Sequence, residues 1–128
     1  MVAYSFQRQF AEPILAGTKR QTIRADRRRH ARPGEEMQLY TGTRTKRCRL
    51  IRRVLCLQTV SVTLDLLNDQ VREAPVEGCF SFRLDRKPEL DTFAFYDGFP
   101  SWADLKAFWA KHHPGVEDFR GVLIRWEA

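Results

Sequence analysis

The stretch CRLIRRVLCLQTVSVTL, residues 48 to 64, constrains the fold more than any other. It is long, β-branched and apolar, which predicts an extended strand. Its alternation breaks near Ile51 to Arg53, and that break signals a bulge or bend. Shorter signals surround it. YSFQRQF (residues 4–10) alternates, with Phe6, Arg8 and Phe10 on one face, and reads as the first strand. EPILAG has Pro13 early and Gly17 at its end, which suits one or two helical turns. QTIRA is a short strand, with Thr22 and Arg24 on one side and Ile23 on the other. RPGEE turns into the strand MQLYTG.

Residues 64 to 78 give no clear pattern. CFSFRL (79–84) reads as a strand, DRKP as a turn, and Pro88 opens a helix that Gly98 stops. SWADLKAFWAKHH has Ser101 at a capping position and Asp104 three residues on. Its stripe of Trp102, Leu105, Phe108 and Trp109 is read as core. FRGVLIRW is the last strand. About six short, interrupted strands with a few short helices predict an α+β chain, mainly β. The expected form is a small mixed barrel with helices over its openings, in one domain of 128 residues.

Hydrophobic residues make up 43% of the chain, enough to exclude a disordered tail. No apolar run approaches a membrane span, and the first ten residues lack the pattern of a signal peptide. A cytoplasmic protein is expected. Three cysteines with no CxxC pair, and three histidines with no HExxH-like set, suggest neither a disulfide framework nor a metal, and no cofactor is expected. Net charge is +6, unevenly spread: residues 19 to 53 hold 13 of the 22 Lys and Arg and three acids. That segment is therefore +10 (13 − 3) and the remainder −4 (9 − 13). A basic patch on a slightly acidic body points to a polyanion such as nucleic acid, or else to a solvated surface.

Chemistry concentrates at three places. Thr22 and Arg24 sit two apart on one strand, and Lys19 enters just before them. A threonine hydroxyl needs a base to become a nucleophile, and a lysine serves only if burial or a nearby cation lowers its pKa. Lys19 and Arg24 could equally hold a phosphate or a base edge, or be structural. Asp97 lies between aromatics, where desolvation would raise its pKa and suit a proton donor. It could also be an ordinary helix end or an ion-pair partner. The run with Arg27, Arg28, Arg29 and Arg32, then Arg44 and Lys46, offers phosphate contacts, and Tyr40 between them can stack on a base.

Together these residues resemble a known family. ILAGTKRQTIR…PGEEMQLYTG is similar to the opening signature of the ASCH domain, in the PUA-like superfamily: an apolar pair, G-x-K-x-x-T-x-R, then a PG-D/E turn into a strand. Asp97-Gly98-Phe99 and the helix after it match the later acid-Gly-Phe. The resemblance spans nearly the whole chain and is weakest over residues 62 to 90. It implies a PUA-like barrel with a cleft for RNA or a modified nucleoside. One bacterial branch hydrolyses 4-acetylcytidine with a lysine base, a threonine nucleophile and a glutamate acid. Carried over by motif, these are Lys19, Thr22 and Asp97, the last one methylene shorter. A metal-independent ribonuclease activity, attributed to some relatives, is a further implication.

Overall fold

The computed structural model describes residues 2–74 and 82–128. Among the described residues seven strands, β1 (Val2–Phe6), β2 (Gln21–Arg24), β3 (Glu36–Thr41), β4 (Arg49–Asp65), β5 (Gln70–Ala74), β6 (Phe82–Leu84) and β7 (Asp118–Trp126), join three α-helices, α1 (Ala11–Ala16), α2 (Lys87–Tyr96) and α3 (Trp102–His112). The chain is mixed α+β and mainly strand. No described helix is long and apolar enough to cross a membrane.

The long strand is β4. Opposite β3 it has a register shift at Ile51, where its alternation breaks, and opposite β7 a second at Leu57 that the pattern did not signal. The first half of β4 pairs with β3. The second half lies between β7 and β5. The pairings run β1–β3–β4–β7–β2, with β1 parallel to β3, and β5–β6 extends from β4. Inward side chains of these strands, among them Tyr4, Met37, Leu39, Val60, Leu64, Leu123 and Trp126, form one core. Leu90, Phe93, Leu105 and Trp109 close over it from α2 and α3.

Two expectations change. The first strand stops at Phe6, and Arg8–Phe10 form a 3-10 turn. Phe10 still points inward, because a turn of three residues returns it to the same side, so alternation alone could not separate the two conformations. Closure into a barrel is not among the described pairings: no ladder joins β1 to β2, and the sheet is open there. Arginine side chains bridge the seam instead. Arg24 Nη2 donates to the Ser5 carbonyl at 2.6 Å, and Arg27 Nη2 to the Ala3 carbonyl at 3.4 Å. The unpatterned stretch contains β5, and residues 79–81 of the expected CFSFRL strand, with Cys79, lie outside the described residues. Cys56 is buried and Cys48 exposed.

Candidate functional site

Two helix stops deliver the lysine and the acid. At Gly17 (φ +80°) the Thr18 N–H bonds the Pro13 carbonyl and the Gly17 N–H the Ile14 carbonyl, the paired bonds of a Schellman stop. At Gly98 (φ +98°) the same pair recurs, from Phe99 to Ala94 and from Gly98 to Phe95. The first stop turns the chain so that Arg20 N–H reaches the Tyr96 carbonyl and Lys19 points inward. The second leaves Asp97 at the end of α2, also inward. A β-carbon at Gly98 would lie 2.9 Å from Lys19 Cδ and 3.0 Å from the Phe10 ring, so the lysine stem passes where only glycine leaves room.

Lys19, Thr22, Arg24 and Asp97 line one hollow of about 310 Å³ at the open seam. Lys19, Thr22 and Asp97 are buried, each at 5% exposure or less. Lys19 Nζ donates to the Asp97 backbone carbonyl, not to its carboxylate, and lies 4.6 Å from the Phe10 ring centroid. The Asp97 carboxylate accepts from Gln21 Nε2 at 3.4 Å. Thr22 Oγ1 accepts from Arg24 Nε at 3.0 Å. Ile23, expected to face the core alone, is half-buried and also lines the hollow.

Burial decides the electrostatics. Desolvation lowers the Lys19 pKa to about 8; the Asp97 charge opposes this and Arg24 adds to it. Desolvation raises the Asp97 pKa to about 6, against the pull of Lys19, the Gln21 bond and Arg24. Arg24 falls to about 10, chiefly through burial. The two catalytic candidates are thus drawn toward neutrality from opposite sides.

The rest of the wall is aromatic. Phe6, Phe10, Phe99, Phe108, Trp109 and Phe119 surround the hollow, with His113 at its margin. Phe10, Phe99 and Phe108 pack edge-on or tilted, with ring centroids 5.1 to 5.5 Å apart. Sequence reasoning assigned the α3 stripe to the core. Trp102, Leu105 and Trp109 are buried, but Phe108 and Trp109 also face the hollow. These rings come from β1, the turn after it, the α2–α3 link, α3 and β7. No local pattern could have gathered them.

The arginine run is largely engaged with the protein itself. Arg27 lies 4.5 Å from the Tyr4 ring centroid and donates to the Arg29 carbonyl at 2.9 Å. Arg29 pairs with Glu35. His30 ties the loop down: Tyr4 Oη meets its Nδ1 at 3.0 Å, and its Nε2 lies 3.1 Å from the Ala25 carbonyl. Nε2 must carry the proton to donate there, so Nδ1 accepts from the tyrosine. Arg28 and Arg32 remain exposed. Tyr40 bonds Gln38 Oε1 on β3 and does not line the hollow. Arg44 and Lys46 lie in the β3–β4 turn, also outside it. Among the described residues no three His, Cys, Asp or Glu side chains gather to hold a metal ion.

No protein-family model, curated protein or solved structure matches this chain.

Proposed function

We propose that this chain is an RNA- or nucleobase-binding domain of the ASCH type, a PUA-like barrel whose β1–β2 seam serves as the ligand mouth. The observation that carries this is the aromatic hollow with its lysine, threonine, arginine and acid. A flat heterocycle satisfies both kinds of wall. Its faces stack on the rings while its polar edge bonds Lys19, Thr22, Arg24 or Asp97. The basic segment of residues 19 to 53, which supplies Lys19 and Arg24 to the hollow, favours a ligand that carries phosphates.

The test is fluorescence of the tryptophans, since Trp109 lines the hollow. Cytidine, adenosine and a short single-stranded RNA are titrated into wild type and Phe99→Ala. Binding should quench or shift the emission, and Phe99→Ala should weaken it by about 1–3 kcal/mol, the usual worth of a stacked base. Equal affinity in both proteins would remove the stacked-base reading.

The opposed pKa shifts of Lys19 and Asp97 favour a second reading, hydrolysis of the acetyl amide of 4-acetylcytidine. Lys19 would take the Thr22 proton, the threonine oxygen would attack the acetyl carbonyl, Asp97 would protonate the leaving amine, and water would then cleave the acetyl-threonine ester to release acetate. Before that, the Thr22 hydroxyl must turn from Arg24 toward Lys19. Release of cytidine from 4-acetylcytidine by wild type and not by Lys19→Ala supports this reading. Two equally inert proteins reject it.

A further inference from the structure

A second hollow lies beside the aromatic one, at the β3–β4 turn. Residues 42 to 53 hold six Lys and Arg and no acid. Thr45 stitches the turn: its hydroxyl donates to the Gly42 carbonyl at 2.6 Å and accepts from the Arg47 N–H at 3.1 Å. Gly42 has φ +66°, and a β-carbon there would meet the Arg47 carbonyl oxygen at 2.6 Å. The turn is therefore held in one shape. Arg47 and Arg49 line a hollow of about 560 Å³ together with Arg8. Among the described residues none of these three guanidinium groups pairs with a carboxylate, whereas Arg29, Arg53 and Arg83 each do. Three unmatched cations around one concavity repel one another, and an anion between them reverses that energy.

The two hollows are neighbours. Ser5, Phe6 and Gln7 line the first, and Arg8, one residue on, lines the second. Thr43 in the turn donates to Ser5 Oγ at 2.8 Å and pins the turn to the mouth of the aromatic hollow.

We propose that Arg8, Arg47 and Arg49 form a phosphate-binding site that takes a backbone phosphate of the strand whose base enters the aromatic hollow. This rests on the nucleobase reading of that hollow and narrows it: the ligand is an oligonucleotide and not a free nucleoside. Guanidinium forks match phosphate oxygens in pairs. The phosphate contact sets the strand's register, and the aromatic hollow does the selecting.

The experiment compares cytidine, a cytidine trinucleotide and inorganic phosphate on wild type and on Arg8→Gln/Arg47→Gln. All three residues are exposed, and circular dichroism checks that the variant is folded. The trinucleotide should bind wild type at least about tenfold more tightly than cytidine, and the variant should lose that advantage while keeping its cytidine affinity. The log–log salt slope for the trinucleotide should fall by roughly 0.7 for each phosphate the variant no longer neutralises. A variant that keeps both the advantage and the slope overturns the site, and the phosphates then lie elsewhere, as at Arg28 and Arg32. Inorganic phosphate binding as tightly as the trinucleotide overturns the strand assignment in favour of a small anion. If cytidine fails on wild type while the trinucleotide still distinguishes wild type from variant, the phosphate site stands and the stacked-base reading falls. If neither nucleic-acid ligand binds, both fall.

Discussion

Lys19 and Asp97 are the residues with most at stake. With pKa values of about 8 and about 6, they stand mostly charged at pH 7, yet each lies closer to neutrality than in water. Lys19→Met removes the cation that holds the carboxyl down, so the Asp97 pKa should climb above about 6 in a carbon-detected NMR titration; an unmoved value would show that the two do not sense each other. The sign for stability follows. Asp97 titrates near 3.8 when unfolded and about 6 when folded, so its buried charge opposes folding above about pH 6. That opposition fades as pH falls from about 6 toward 3.8. Urea unfolding should show Asp97→Asn gaining less than wild type between pH 7 and 4.5. Hydrolysis would need neutral Lys19 and protonated Asp97 together, so the rate should peak near pH 7 with limbs at about 6 and 8. The spacing of Lys19, Thr22 and Arg24, and the aromatic flank of Asp97, made these four legible in the sequence. The ring of aromatics around them was not, because its members lie in separate segments, and Phe108 and Trp109 had been given to the core stripe of α3.

At the scale of elements, the two glycine stops decide whether the site exists. Gly98→Ala puts a β-carbon against Lys19 and Phe10 at positive φ. It should cost more than about 1 kcal/mol in urea unfolding and disturb the aromatic hollow, visible as shifted Phe10 and Phe99 resonances. Ser101, whose Oγ accepts the Asp104 N–H at 3.2 Å, caps α3; Ser101→Ala should cost about 1 kcal/mol and leave the hollow intact. These stops, the cap and the register shift at Ile51 were readable because each depends on a few adjacent residues. The turn at Arg8–Phe10 was not, since phenylalanines at positions 6 and 10 suit a strand as well as a strand followed by a turn. β5 was missed because its partners, β4 and β6, are what make Gln70–Ala74 a strand.

Across the molecule, no ladder joins β1 to β2, and Arg24 bridges that seam. Arg24→Ala removes donors to Thr22 and Ser5. It should cost about 1–2 kcal/mol and speed amide exchange in β1 and β2 ahead of β4 and β7. Uniform exchange would mean that the arginine does not hold the seam. Gly121 supports the same side: a β-carbon there would sit 2.4 Å from the Arg24 carbonyl oxygen, so Gly121→Ala should push β2 off β7 and lower thermal stability. The barrel expected from the strand pattern is not closed by the described ladders: β1 and β2 do not pair, and β6 is a further edge. A sequence reports which segments are extended, but whether the last pair meets backbone to backbone depends on the summed twist of all the others.

The seam also has a consequence in time. Its walls come from residues 5–25 and 97–119, so the hollow requires contacts across most of the chain. The β3–β4 hairpin needs only its own turn. Long-range closure carries the larger entropy cost and is slow. A folding chain is then expected to bring the cationic β3–β4 turn together before the hollow at the seam. For that interval the arginines of the turn would face solvent without the aromatic hollow beside them.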